Sequence, residues 1–214
     1  MAPNGVGFRP RLVLASASPR RRQLLESAGV GAETCTANID ETPRAGEPAR
    51  ELVRRLAAEK AEAVVATLGD DRSDHDGAGA TSGRTVVIGA DTVVSVDDEI
   101  FGKPSSDAEA RCMLSRLSGR QHCVLTGVAV SMGGRTESGV SETTVWFREL
   151  DAADIDCYVA CGEPDGKAGA YAIQGRGSMF VDRIDGSFHG VVGLPIAMLD
   201  RLCSDLGWPL TTWT

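Results

Sequence analysis

The chain has 214 residues, 42% of them hydrophobic, and a net charge of −8. That size and apolar share suit one folded domain spanning 1–214 and exclude a disordered chain, while the acidic balance argues against general nucleic-acid binding, which needs a basic footprint. Six cysteines without C-x-x-C spacing suit reduced thiols, and no apolar run is long enough to span a bilayer or resembles a secretory leader, so a cytoplasmic protein is expected.

Leu12-Val13-Leu14 predicts a short buried strand over 11–15. Ser16 and Ser18 follow, Pro19 suits a first helical position, and Arg20 and Arg21 open a helix over 19–28 that Gly29 ends. A strand–turn–helix junction aims free backbone N–H groups and the positive end of a helix dipole at one spot. Arginines there add bidentate donors suited to phosphate. The plainer alternative is a surface helix capped by Ser18 with solvated arginines. A weak strand at 33–38 leads into the loop Asp40-Glu41-Thr42-Pro43, and a long helix runs from 48 to 68. Turn-forming residues without an apolar anchor fill 69–84 and read as a mobile surface loop. A strand at 85–90 follows, then a hairpin across Asp97-Asp98 that ends at Gly102-Lys103-Pro104. A helix at 107–118 is closed by Gly119, and long strands at 121–132 and 135–147 flank Gly133-Gly134 as an antiparallel hairpin. A helix at 152–161 capped by Asp151, a glycine-rich stretch at 162–177, a strand at 178–184 and a helix at 195–206 complete the chain. The pattern is α/β, a mixed β-sheet flanked by helices.

Several polar residues sit where that pattern forbids them. On the helix from 48 to 68, Lys60 falls in the middle of the apolar arc formed by Leu52, Leu56, Ala57, Ala63 and Val64 at about 100° per residue. A lysine at the edge of such a stripe snorkels to water. One at its centre suits a cleft with an anionic partner, and Lys60→Met is then expected to cost activity without costing stability. Asp91 directly follows the apolar run Thr85–Ala90, at the strand end where open α/β sheets bind ligands. Lys103 is bracketed by glycine and proline in a fixed turn, and Gln174 enters a glycine turn in Tyr171-Ala172-Ile173-Gln174-Gly175, able to donate and accept toward a base edge. Phosphate-loop, dinucleotide-fold, nucleophile-elbow and zinc-helix motifs are all missing, and His75, His122 and His189 are scattered. What remains is four cations (Arg20, Arg21, Lys60, Lys103) for anionic oxygens, with Glu41 and Asp91 for a hard cation or a base. That set suits a nucleotide polyphosphate with Mg²⁺, which needs few carboxylates beside substrate phosphates.

An ordered series of segments then resembles the Maf family of nucleoside triphosphate pyrophosphatases across nearly the whole chain. It comprises Ala15-Ser16-Ala17-Ser18-Pro19-Arg20-Arg21, Asp40-Glu41-Thr42-Pro43, Arg55–Ala61, Gly89-Ala90-Asp91-Thr92-Val93-Val94, Gly102-Lys103-Pro104, Leu117-Ser118-Gly119, Asp165–Gly175 and Val192-Gly193-Leu194-Pro195. The departures are a long 69–84 loop and Gly166 in place of a bulkier residue. The resemblance implies two lobes around a cleft, similar to inosine triphosphate pyrophosphatases, and hydrolysis between the α- and β-phosphates with a divalent metal (Mg²⁺, Mn²⁺ or Co²⁺). It implies Asp91 as proton acceptor, Glu41 and Asp91 as metal ligands, and Ser16, Arg20, Arg21, Glu41, Lys60, Thr92, Lys103 and Gln174 as substrate-binding residues. It also implies a homodimer with no nucleic-acid or membrane partner. Arg20, Thr92 and Gln174 resemble the branch acting on dTTP and UTP. Two other readings stand beside it: a nucleotide-binding regulator of cell division without turnover, and a pyrophosphatase for modified purine triphosphates.

Overall fold

The computed structural model of the chain describes residues 10–70 and 85–212. Its elements are β1 (Arg11–Leu14), α1 (Pro19–Ser27), β2 (Glu33–Thr34), α2 (Ala49–Asp70), β3 (Thr85–Val96), β4 (Glu99–Phe101), α3 (Asp107–Leu117), β5 (Gln121–Met132), β6 (Arg135–Phe147), α4 (Ala152–Ala160), β7 (Val181–Asp185), α5 (Phe188–Val192) and α6 (Ile196–Asp205). The seven strands form one mixed sheet in the order β2-β1-β3-β5-β6-β7, with β4 also paired to β3. β1 is parallel to β2 and β3, and every other pairing is antiparallel. Among the described residues no helix is long and apolar enough to cross a membrane.

Strand alternation divides the core in two. Val13, Ala15, Val87, Val93, Leu125 and Ala129 face α2 and pack on its Leu52, Val53, Leu56, Ala57, Ala61 and Val64. Leu12, Leu14, Val86, Ile88, Ala90, Val94, Val124 and Val130 face the larger core that α1, α3, α4 and α6 cover. Burial on both faces is why these strands read as nearly continuous apolar runs.

Four expectations need correction. The strand expected to stop at Ala90 runs on through Asp91 to Val96, so Asp91 lies in mid-strand. The 33–38 strand shrinks to two residues. The strand expected at 178–184 begins at Val181, because Gly175–Phe180 winds into a 3₁₀ turn. A short helix, α5, precedes the last one, with Gly193 at φ +124° breaking the two apart. The expected loop at 69–84 lies outside the described residues except for Gly69 and Asp70, which continue α2. Both expected hairpins are present. Gly133 and Gly134 have φ of +57° and +79° in the two-residue turn that joins β5 to β6.

Two glycines set how closely α2 lies on the sheet. A Cβ on Gly89 would meet the Ala57 carbonyl at 2.0 Å, and one on Gly127 would meet the Val53 carbonyl at 2.1 Å. Both obstacles are helix backbone, so a methyl at either site lifts α2 from the sheet. Gly89→Ala is expected to destabilise the fold by about 1–3 kcal/mol through overpacking, and to lower turnover by moving the helix that carries Lys60. Urea denaturation and a rate assay of the folded fraction check both.

Candidate active site

The site lies where β3 loses a neighbour. One edge of β3 pairs with β5 throughout Val87–Ser95. Along the other edge, β1 pairs only as far as Ile88 and β4 only from Val94. The stretch 89–93 between them is the floor of a cavity of about 500 Å³. Ser16, Arg20, Arg21, Glu41, Lys60, Asp91, Thr92, Lys103 and Gln174 all line it. The structure thus brings together every site residue expected from the sequence.

Asp91 shares the α2 face of β3 with Gly89 and Val93, and the absence of a side chain at Gly89 lets the next turn of α2 reach it. Lys60 is 7% exposed and Asp91 8%. The Lys60 Nζ donates to Asp91 Oδ1 at 2.6 Å and lies 2.7 Å from Glu41 Oε1. The mid-stripe lysine is therefore held by two carboxylates at the cavity floor. Burial pushes the Glu41 carboxyl up, but the Lys60 hydrogen bond and the charges of Lys60, Lys103 and Arg21 outweigh it and leave Glu41 below its usual value. Glu41 reaches the site on a loop pinned from α2. Arg55 donates twice to Glu47, at 2.6 and 2.7 Å, and once to the Thr42 carbonyl at 3.3 Å. Asp40 closes the turn by accepting from the Thr42 N–H at 2.9 Å.

Thr92, one residue on, points to the opposite face and orients Arg21. The Arg21 guanidinium donates to the Gly193 carbonyl at 2.8 Å, to Ser16 Oγ at 3.1 Å and to Thr92 Oγ1 at 3.1 Å. Thr126, fully buried and directly opposite Thr92 in the ladder, donates to the Gly190 carbonyl at 2.8 Å. Its single proton is thereby used, so Thr92 donates to Thr126 across their 2.9 Å contact. The hydroxyl of Thr92 accepts from Arg21 and donates to Thr126, which makes it an orienting group for the arginine. Thr126→Val deletes this chain without changing side-chain shape. It is expected to lower kcat/KM about tenfold, as loosening one charge-assisted hydrogen bond does, with steady-state kinetics as the check.

Ser16 Oγ accepts from Arg21 and from the Ser18 N–H at 3.2 Å, which directs its own proton to the cavity. Ser18 makes no side-chain capping bond to α1, contrary to the plainer reading of this turn. The first residues of α1, Pro19 to Arg21, line the cavity, and a helix N-terminus carrying two arginines favours an anion there. Burial lowers the pKa of both arginines, opposed at Arg21 by the charge of Asp91 and at Arg20 by Tyr158. Lys103 is placed by the Gly102 carbonyl, which accepts from the Gly169 N–H at 3.0 Å.

Sequence reasoning missed Lys167, which also lines the cavity. Burial and the charge of Arg20 hold its ammonium below the usual lysine value. Its signal was its place in Asp165-Gly166-Lys167, seven residues before Gln174. His122 lies outside the cavity: it is 3% exposed, its Nε2 is 2.8 Å from the Tyr171 hydroxyl, and burial pushes it down to about 4. It stays neutral at pH 7 as a packing partner of Tyr171.

The cavity thus gathers donors for several anionic oxygens around a lysine bridged by two carboxylates. The family model described as Maf-like protein matches residues 11–206 of the chain. A dTTP/UTP pyrophosphatase from Shewanella oneidensis is 47% identical over 201 residues, covering 92% of this chain and 98% of that protein. Proteins of the same name from Aromatoleum aromaticum and Vibrio cholerae are 44% and 45% identical, over 94% and 90% of this chain and 97% and 96% of their own lengths.

Proposed function

The chain belongs to the Maf family, and from that premise we propose that it is a hydrolase that cleaves dTTP and UTP between the α- and β-phosphates, releasing a nucleoside monophosphate and pyrophosphate. The observation that carries the reading is the Lys60 ammonium bridged by Glu41 and Asp91 on the floor of a cavity that Arg20, Arg21, Lys103 and Lys167 also line. A site that only bound a polyphosphate, with no metal between, would gain nothing from two carboxylates, which repel it. A site that hydrolyses one needs an acceptor for the proton of water.

Each residue has a part in that chemistry. Ser16, the α1 N–H groups, Arg20, Arg21 and Lys103 bind the phosphate oxygens. Their donors are fixed before the reaction, so charge that develops on the departing pyrophosphate meets a preorganised field. Water adds to the anhydride, the bond between the α- and β-phosphates breaks, and one water proton passes to the Asp91 carboxylate. Lys60 holds that carboxylate in place. Gln174 meets the base: its amide can donate to O4 and accept from N3–H of uracil or thymine, the edge on which cytosine differs.

Glu41 Oε1 and Asp91 Oδ1 both converge on the Lys60 ammonium, so a divalent cation would be held through the second oxygen of each carboxylate, hard donors of the kind such an ion takes. Among the described residues no cluster of three or more protein ligands accompanies them, so the coordination would be completed by phosphate and water. Such an ion supplies charge neutralisation at the phosphates. The reading also takes the enzyme as a cytoplasmic homodimer, which light scattering at assay concentration tests.

A panel of nucleoside triphosphates with Mg²⁺, Mn²⁺ or Co²⁺ tests the proposal. The expected order of kcat/KM is dTTP and UTP first, with CTP and purine triphosphates behind. A panel led by inosine or 7-methylguanosine triphosphate overturns the pyrimidine assignment.

A further inference from the structure

Gln174 sits exposed at the cavity rim just after the buried Ile173, with exposed Gly175 and Arg176 following it, yet base discrimination needs it at one height and one angle. The segment on either side of it is held by Tyr158 of α4 and by Glu163 in the turn that follows that helix. The Glu163 carboxylate accepts from the Arg176 N–H at 3.0 Å, the Gly177 N–H at 3.1 Å and the Tyr158 hydroxyl at 3.0 Å. That hydroxyl in turn accepts from the Ala172 N–H at 3.1 Å. Backbone donors before and after Gln174 thus converge on one connected pair of side chains. The fit leaves no room. Gly175 has φ +74° and a Cβ on it would come within 2.9 Å of the Glu163 carboxylate, while a Cβ on Gly177 would meet the Ala172 carbonyl at 2.2 Å. Burial pushes the Glu163 carboxyl up, and the bonds from Gly177, Arg176 and Tyr158 outweigh it, so the group stays an ionised acceptor.

We propose that Glu163 is a positioning residue for base specificity, which fixes the Gln174 loop through the Arg176 and Gly177 N–H groups and the Tyr158 hydroxyl. Glu163 touches no substrate in this account. The inference rests on the reading of Gln174 as the group that meets the base. Its physical content is preorganisation: Ile173 and Phe180 seat the ends of the segment in the core, but residues 174–177, with glycines at 175 and 177, would lose their fixed path without Glu163, and cytosine would then be accommodated as well as uracil.

Glu163→Gln keeps the shape but sets an amide nitrogen against backbone donors, so at least one of the three bonds is lost. The measurement is kcat/KM for UTP and CTP in the wild type, Glu163→Gln, Gln174→Ala and the double variant. The UTP-over-CTP ratio is expected to fall about tenfold in Glu163→Gln, the worth of one well-placed hydrogen bond. The double variant is expected to show no further loss of the ratio beyond Gln174→Ala, the non-additivity of two residues that act as one. A purely structural role lowers the folded fraction and scales both substrates equally, leaving the ratio intact. An unchanged ratio in Glu163→Gln, where Gln174→Ala collapses it, overturns the inference alone, as does an additive double variant. An unchanged ratio in Gln174→Ala overturns the base-reading role of Gln174 and the inference with it. Should Glu163→Gln fail to fold, Tyr158→Phe removes the hydroxyl that links Glu163 to Ala172 and carries the same expectation.

Discussion

Asp91→Asn is expected to lower kcat at least ~100-fold, the low end of what a positioned general base contributes, in a protein that still folds. The asparagine carbonyl can keep accepting from Lys60 in place of the 2.6 Å bond to Oδ1, and Lys60 keeps its second partner, Glu41. No buried charge is stranded, so the melting temperature should hold. Affinity for the triphosphate should hold or improve, because a carboxylate that repels phosphate is gone. Kinetics at saturating UTP with a melting curve separate these effects. A variant that turns over at the wild-type rate removes Asp91 from the chemistry.

Lys60→Met should be more damaging, and in two ways. The ammonium joins Glu41 to Asp91 through the two ion pairs at the cavity floor. Removing it releases the Asp91 carboxylate that takes the proton from water, which is expected to lower kcat/KM about 10²-fold, the low end of what a positioned general base contributes. It also leaves two carboxylates facing each other, one of them in the buried Asp91. The sequence reading expected no loss of stability, since a mid-stripe lysine is a poor core residue and methionine a good one. The two ion pairs reverse that expectation: removing one partner of a buried pair costs stability, here about 1–3 kcal/mol given that the cavity is open to water and Glu41 is half exposed. Adding Glu41→Gln to Lys60→Met should restore part of the stability and none of the activity. Wild-type kinetics together with a lowered melting temperature would return Lys60 to a structural role.

The floor of the site was legible because it breaks patterns. Lys60 interrupts an apolar helical stripe, and Asp91 ends an apolar run. Arg20 and Arg21 crowd one turn of an acidic protein. The hairpin 121–147 was legible because two glycines separate long strand-like runs. Other features carried no such mark. The strand was expected to stop before Asp91 because a carboxylate in mid-sheet is costly. It continues because Lys60 pairs with that carboxylate from a helix 31 positions earlier in the chain, a contact that no local window contains. Thr126 reads as any strand threonine, and its role appears only through the register that sets it opposite Thr92. Ser178-Met179-Phe180 has strand-like residues but winds into a 3₁₀ turn, since the N–H groups of Arg176 and Gly177 are drawn to Glu163. Tertiary partners overrode local preference at each of these places.

The central claim is the position of bond cleavage, and ³¹P NMR of UTP hydrolysis with Mg²⁺ tests it most directly. The account predicts UMP and pyrophosphate in equal amounts from the first turnover, with no UDP at any time, and loss of both products together in Asp91→Asn. Orthophosphate appearing in step with UDP would contradict it.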